Sequence, residues 1–298
     1  MGSNSARLYL LAEEDNRFVI QEKFRVMTRL IEGMTEDGAL AEDAMARTVR
    51  TLADYANICR SAQADCLAIA TAAVRKASNR ADFTSRVLRE TGIRLFVISG
   101  ETEAYLDFHG VLASLPGLAD FLVCDTGGGS SELILVQNQT LSEKCSLPFG
   151  ALNLFDRFPD LDAAADYVNG KLAAVPFLQS AAGLPVVCLG GSMSATAPLG
   201  AKLLCRPITE INGTVFSPKE LSAIYESLQL CTPEERLALG VERGRADTIC
   251  HGILPTLMLL RRLQSPSAIL CIGGLREGVI RLLEKCDNNM ELFAKQLV

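Results

Sequence analysis

One short segment constrains this chain more than any other: a glycine-rich loop that directly follows an apolar strand. The predicted strand is Phe121–Cys124, and the loop reads Asp125-Thr126-Gly127-Gly128-Gly129-Ser130-Ser131. Consecutive glycines let a ligand approach the backbone closely, and their N–H groups can form a nest for an anion. A plain hairpin turn is the alternative interpretation. The carboxylate at the strand end, the serine hydroxyls and a second copy of the loop favour a polyanion site.

The second copy lies at the start of the chain. Gly2–Leu8 and Gly127–Leu133 both read G-x-x-S-x-x-L, and each leads into a strand, a turn and another strand. This repeat predicts two copies of one module, with domains at residues 1–112 and 113–298. In the first copy, Asp125 aligns with the residue before Met1. We therefore expect that the first copy lacks its opening strand and aspartate, or that the true start lies upstream.

Strand-like and helix-like segments alternate along the 298 residues, which is typical of an α/β protein, and the length suits two domains. Two strands at Arg7–Leu11 and Phe18–Phe24 are predicted to pair. Helices are predicted at Glu42–Arg60, Asn79–Thr91 and Glu103–Leu115. Further strands are predicted at Cys66–Ala70, Leu95–Ile98, Glu132–Val136 and Leu141–Leu147.

Composition excludes several classes of function. The net charge of −6 does not give the basic footprint of a protein that binds nucleic-acid duplexes. The first residues do not match a signal peptide and no apolar run is long enough to cross a membrane, so we expect neither a secretory leader nor a membrane span. His109 and His251 are too few for a histidine-based metal centre. The ten cysteines form no C-x-x-C pair, so we expect buried, reduced thiols and a cytoplasmic protein.

Two kinds of charged residue follow predicted strands and suit phosphate chemistry. Arg75 comes shortly after Cys66–Ala70, and its planar guanidinium matches phosphate oxygens, although a surface arginine would look the same. Asp125 follows its strand directly. Asp125 and Glu132 are the candidate ligands for Mg²⁺ or another divalent cation, since carboxylates and phosphates together hold this ion.

Other segments are ambiguous on their residues alone. Glu103 lies in Ser99–Ala104, after a predicted strand, but acidic residues are common in the first turn of any helix. Two Gly-Gly turns, at Gly190-Gly191 and Gly273-Gly274, follow apolar strands, and each can be no more than a tight connection. No Walker A, G-x-G-x-x-G or G-x-S-x-G motif occurs, which argues against P-loop, Rossmann and α/β-hydrolase folds.

Seven motifs are spread along the chain in order: GSNSARL at Gly2–Leu8, TRLIEGM at Thr28–Met34, ATAAVRKASN at Ala70–Asn79, ISGETEA at Ile98–Ala104, DTGGGSSEL at Asp125–Leu133, LPFGALNL at Leu147–Leu154 and GGLREGVI at Gly273–Ile280. Taken together, they resemble the exopolyphosphatase/guanosine pentaphosphate phosphohydrolase (Ppx/GppA) family along nearly the whole chain. The resemblance implies a duplicated, actin-like (ribonuclease H-like) α/β fold with the active site in a cleft between the domains. It implies removal of the terminal phosphate of inorganic polyphosphate, or of the 5′ γ-phosphate of pppGpp, usually with Mg²⁺. A homodimer is also in keeping with it.

The same resemblance implies roles for individual residues. Glu103 matches the catalytic glutamate, the second acid of an S-G-x-E-E-A motif whose first acid is Thr102 here. Arg75 matches a phosphate-binding arginine. With no His-Asp dipeptide, the chain is expected to be a short, two-domain member. The remaining matches are phosphate-binding residues of the two loops: Gly2, Ser3, Asn4 and Ser5 in the first, and Gly127, Gly128, Gly129, Ser130 and Ser131 in the second.

The hypothesis from sequence is therefore a phosphoanhydride hydrolase. Two alternatives stay open at this point. One is a phosphotransferase, because actin-like folds also host kinases; it requires an acceptor pocket and an adenosine site. The other is a catalytically impaired regulator that binds polyphosphate or (p)ppGpp.

Overall fold

A computed structural model of the chain describes residues 1–15, 17–286 and 293. They group into two compact units: Met1–Glu103 with the described part of Ile280–Val298, and Ala104–Val279. The boundary between the units lies in one helix, Gly100–Ser114, and so does the predicted boundary between residues 112 and 113. The predicted domains, 1–112 and 113–298, stay a prediction.

The first unit opens with an antiparallel hairpin, as predicted. Strands β1 (Ala6–Glu14) and β2 (Arg17–Val26) pair along their length, with a register shift between Leu10 and Leu11. Helix α1 (Glu42–Ser61) follows, and its apolar residues recur at helical spacing and are buried.

A parallel strand pair completes the described core of this unit. Strand β3 (Ala68–Ala70) pairs with β4 (Leu95–Val97). Helices α2 (Ala72–Lys76) and α3 (Arg80–Thr91) connect them, and α4 (Gly100–Ser114) follows β4. Because the strands are parallel, the starts of α2 and α4 lie at the same edge of the pair.

The second unit is built on a six-stranded sheet in the order β7-β6-β5-β8-β10-β9. β5, β6 and β7 form an antiparallel meander, whereas β5, β8 and β10 run parallel and β9 is an antiparallel edge strand. The strands are β5 (Phe121–Thr126), β6 (Ser131–Gln137), β7 (Thr140–Leu147), β8 (Val186–Leu189), β9 (Val215–Phe216) and β10 (Ala268–Leu270).

Both faces of this sheet are covered. Alternate residues of β5 point to opposite faces, so Leu122 and Cys124 lie in one apolar cluster while Phe121 and Val123 lie in another with residues of α4. A short 3-10 helix spans Pro176–Gln179. The helices that follow β7 in the chain are α5 (Ala151–Arg157), α6 (Leu161–Ala173), α7 (Gly191–Leu203), α8 (Pro218–Gln229), α9 (Pro233–Ala238), α10 (Ile249–Leu263), which is almost wholly buried, and α11 (Leu275–Lys285), whose residues from Ile280 onward belong to the first unit.

The predicted α/β character and the strands and helices named from sequence are confirmed to within a few residues at their ends. The expectation that the cysteines are buried is wrong at Cys66 and Cys205, which are exposed because each lies in a connection beside an element. All ten cysteines are free thiols. Within the part of the chain that the structure describes, no helix has the length and apolar character needed to cross a bilayer.

Candidate active site

The two glycine loops have the same internal geometry. In the second unit, Gly127 N donates to Ser130 O at 3.0 Å and closes the turn between β5 and β6. In the first unit, Gly2 N donates to Ser5 O, also at 3.0 Å, directly before β1. The repeat seen in the sequence is thus a repeated backbone turn, each one opening an antiparallel hairpin.

The polar side chains of the loops differ in their surroundings. Ser131 is fully buried, and its hydroxyl donates to Phe149 O at 2.9 Å, behind the loop. Asn4 Oδ1 is buried and finds no hydrogen-bond partner among the described residues. Ser3 and Ser130 are also buried. A buried amide oxygen without a partner is satisfied when a ligand or water donates to it.

The two predicted metal ligands are neighbours. Asp125 and Glu132 face each other across β5 and β6, so their side chains project from the same face of the sheet. Glu132 is 1% exposed, and Ser146 Oγ donates to its Oε1 at 2.8 Å. No cluster of three or more potential metal-ligating side chains occurs in residues 1–15, 17–286 and 293. Two carboxylates suit Mg²⁺, which usually keeps waters and substrate phosphates as its other ligands.

The two Gly-Gly turns reach the same sheet edge as Asp125, because they follow β8 and β10, which run parallel to β5. Gly190 has a φ of +89°, and a Cβ there would lie 2.6 Å from Thr126 O and 3.1 Å from Asp125 Oδ1. Gly273 packs as closely against Gly110 of α4, where a Cβ would lie 2.7 Å from Gly110 O. Both turns need glycine for packing.

Arg245 is not among the residues predicted from the sequence. Its side chain is 11% exposed and its guanidinium covers Gly191, the first residue of α7, where any Cβ would overlap it. Glu242 lies 3.4 Å away as an ion-pair partner. This places a buried positive charge beside the turn that packs on Asp125.

In the first unit, Arg75 and Glu103 form an ion pair. Arg75 Nη1 lies 2.9 Å from Glu103 Oε2 and also donates to Ile98 O at 3.0 Å. Arg75 lies on α2 after β3 and Glu103 on α4 after β4, so the parallel pairing of the two strands brings them together. Their side chains are 18% and 11% exposed, so water screens this pair only in part.

Burial raises the pKa of Glu103 above its usual value of 4.5, while Arg75 and the hydroxyl of Thr71 act in the opposite direction. A carboxylate with a raised pKa is a stronger base, which is the property a general base needs near neutral pH. Thr102, at the position where the resemblance expects an acid, instead bonds to Ser99: its N–H donates to Ser99 Oγ at 3.0 Å.

The first loop belongs to the same site. Thr71 N donates to Met1 O at 3.2 Å, and Met1 N donates to Ile69 O at 2.5 Å, so the chain at Met1 runs beside the end of β3. A Cβ on Gly2 would lie 4.0 Å from Thr71 Oγ1. The first unit therefore assembles the Gly2–Ser5 loop, Arg75 and Glu103, and the second unit assembles the Gly127–Ser130 loop, Asp125 and Glu132.

No local signal marks Thr71 or Arg245 in the sequence, because their importance comes from what packs on them. The individual roles given to the loop residues, Arg75, Glu103, Asp125 and Glu132 stay predictions. The residues predicted for the first loop site lie close together in the first unit, and those predicted for the second loop site lie close together in the second unit.

The chain has repeated glycine turns, hairpins and a buried mixed sheet. These features place it in the duplicated, actin-like class of α/β proteins, to which structurally similar solved proteins also belong. The chain belongs to the Ppx/GppA phosphatase family, whose model matches residues 11–286.

Individual relatives and solved structures agree with this assignment. Exopolyphosphatase 1 of Mycobacterium leprae is 28% identical, over 98% of this chain and 89% of that protein. A guanosine-5′-triphosphate,3′-diphosphate pyrophosphatase of Vibrio cholerae is 29% identical over 94% of this chain, which spans only 57% of that longer protein.

Among solved structures, an exopolyphosphatase from Cytophaga hutchinsonii has a TM-score of 0.86 at 24% identity, covering 96% of both chains. The Aquifex aeolicus PPX-GPPA enzyme has a TM-score of 0.75 at 27% identity, covering 94% of this chain and 96% of its own.

Proposed function

We propose that this chain is a phosphoanhydride hydrolase that releases the terminal phosphate of inorganic polyphosphate or the 5′ γ-phosphate of pppGpp. The observation that carries the proposal is the Arg75–Glu103 ion pair, largely shielded from water, beside the Gly2–Ser5 loop. The family match and the names of the Mycobacterium and Vibrio relatives support this substrate class.

The proposed reaction is attack of water on the terminal phosphorus. Glu103 accepts a proton from the water as the new P–O bond forms. The bond from phosphorus to the bridging oxygen breaks, and that oxygen keeps the electron pair as the shortened chain leaves. Positioning and charge neutralisation dominate phosphoryl transfer, so loop N–H groups and Arg75 act on the phosphate oxygens.

We further propose that Asp125 and Glu132 hold Mg²⁺ or another divalent cation. Two adjacent carboxylates at the end of a sheet support this assignment. When bound, the ion neutralises charge on the phosphate oxygens. Ser146 donates a hydrogen bond to the Glu132 carboxylate and so fixes the orientation of this proposed metal ligand.

Hydrolysis is preferred over the alternatives of phosphotransfer and regulation. The matched family is a phosphatase family, and its relatives are named for cleavage of phosphate substrates. A cytoplasmic location is in keeping with ten free cysteines, and a homodimer stays a further expectation from the family resemblance.

The experiment that tests the function is release of free phosphate from long-chain polyphosphate and from pppGpp, with Mg²⁺ and without an acceptor. Glu103→Gln should lose most turnover, roughly a hundredfold or more, because the general base is gone, while polyphosphate binding persists. Glu101→Gln is the matched control, since Glu101 is an exposed acid on the same helix. Near-normal turnover in Glu103→Gln refutes the base role. Binding by the wild type with no phosphate release favours a regulator.

A further inference from the structure

The N-terminus of helix α5 donates hydrogen bonds to the carbonyl groups of the second glycine loop. The first amides of a helix have no acceptor within it, and here they bond to the loop. Ala151 N donates to Gly127 O at 2.8 Å. Leu152 N and Asn153 N donate to Gly128 O at 3.0 and 3.2 Å. The first two loop carbonyls therefore face α5.

The third loop carbonyl is held by a side chain. Asn153 Nδ2 donates to Gly129 O at 3.2 Å and, more weakly, to Pro148 O at 3.4 Å. Its Oδ1 accepts from Gly150 N at 2.6 Å. A side-chain amide can accept and donate at once, which a carboxylate cannot do. Asn153 thus connects the start of α5 to the Gly129 peptide.

These bonds fix the direction of the loop N–H groups. In a trans peptide the C=O and the following N–H point in opposite directions, and the described residues contain no cis peptide. Because the carbonyls of residues 127, 128 and 129 face α5, the N–H groups of Gly128, Gly129 and Ser130 point away from it. Successive N–H groups on one side form an anion nest.

The first loop uses the same principle with backbone donors. Ser3 O accepts from Ile31 N at 3.3 Å, and Asn4 O accepts from Arg29 N at 2.9 Å. Asn4 O corresponds to Gly129 O in the repeat. A side chain in the second unit thus does what a backbone amide does in the first, and a side chain can be removed by substitution.

We propose that Asn153 is a positioning residue for phosphate binding: its carboxamide orients the Gly129–Ser130 peptide so that Ser130 N–H faces a phosphate oxygen of the substrate. This inference rests on the proposed function for its substrate. It goes beyond that function by assigning a role to a residue outside both loops.

Two substitutions separate positioning from charge. Asn153→Asp keeps the acceptor for Gly150 N but loses the donor to Gly129 O and adds a negative charge. Asn153→Ala loses both of these contacts, and the weaker one to Pro148 O, without adding charge. Asn138→Asp is the matched control, because Asn138 lies in the turn between β6 and β7 and the charge change is identical.

The first readout is the kinetics of tripolyphosphate hydrolysis. Both Asn153 variants should raise KM by roughly tenfold with kcat within about twofold, as expected for loss of a binding contact worth about one hydrogen bond. A purely structural defect would reduce the active fraction, lowering kcat at unchanged KM. A raised KM in Asn153→Asp alone would assign the effect to charge and overturn the proposal.

The second readout does not need turnover. In amide NMR spectra of the wild type and the Asn138→Asp control, tripolyphosphate should shift the Ser130 resonance, and both Asn153 variants should lose most of that shift. If the wild type releases no phosphate, the proposed function fails, yet loss of the Ser130 shift still supports positioning by Asn153. A Ser130 resonance that does not respond in the wild type, or responds equally in all variants, overturns the inference.

Discussion

Replacing Arg75 with methionine should move the acid limb of the pH profile of kcat/KM to higher pH. Glu103 works as a base only when it is deprotonated, and this limb reports the pKa of the free enzyme's base. Burial raises the pKa of Glu103, and Arg75 partly offsets that rise. Removing the guanidinium leaves burial unopposed, so the pKa of Glu103 must rise further.

The strength of the interaction that is lost follows from the ion-pair distance. Two unit charges 2.9 Å apart interact by about 6 kcal/mol at an effective dielectric constant of about 20. This is an upper bound, because the partly exposed side chains are screened and can relax. Opposite charges at such distances favour the ionised form of a carboxyl group, so loss of the guanidinium should raise the pKa of Glu103 and displace the acid limb to higher pH.

The assay is phosphate release from tripolyphosphate over a pH series, with thermal unfolding measured in the same buffers. Since the folded pKa of Glu103 lies above its unfolded value, its contribution to stability is present at low pH and lost as pH rises through the folded pKa. Arg75→Met should enlarge this loss, so its melting temperature should fall more at alkaline than at acidic pH.

Arg86→Met is the matched control. It removes an arginine of the same unit whose partners Glu42 and Glu90 are exposed, so the acid limb should stay in place. An unmoved limb in Arg75→Met, or one displaced to lower pH, would show that Arg75 does not control the base.

Three further predictions concern the second unit. Asp125→Asn should raise the Mg²⁺ concentration needed for half-maximal phosphate release by roughly tenfold or more, and an unchanged requirement would remove Asp125 from the metal site. Gly252→Ala should lower the free energy of unfolding, measured in urea, by about 1–3 kcal/mol, because its Cβ would overlap Ser192 of α7. Gly170→Ala has open space around its Cβ and should not lower the free energy of unfolding. Burial lowers the pKa of His251, so its stabilising contribution is present above about pH 6.5 and is lost as pH falls through the folded pKa. The melting temperature of His251→Gln should therefore fall less with decreasing pH than that of the wild type. Equal falls in melting temperature for the two proteins would contradict this.

The candidate site was predictable where a role depends on neighbours in the chain. Glycines after an apolar strand fix a tight turn, and the hydrogen bonds from Gly2 to Ser5 and from Gly127 to Ser130 have the same length of 3.0 Å, as the repeated pattern implies. The pairing of Asp125 with Glu132 follows from the same hairpin. In contrast, the local sequence around Glu103 does not distinguish it from other acidic residues in the first turn of a helix, and only the family resemblance identifies it as the catalytic candidate.

Local sequence by itself determined the alternation of strands and helices, the two glycine turns and the hairpins they open, because these depend on side-chain periodicity and on backbone freedom within a few residues. Tertiary structure alone decided that Arg75 meets Glu103, that Arg245 covers Gly191 and that Asn153 reaches Gly129. Those contacts join residues from different elements, and the desolvation that raises the pKa of Glu103 exists only once the surrounding core has closed.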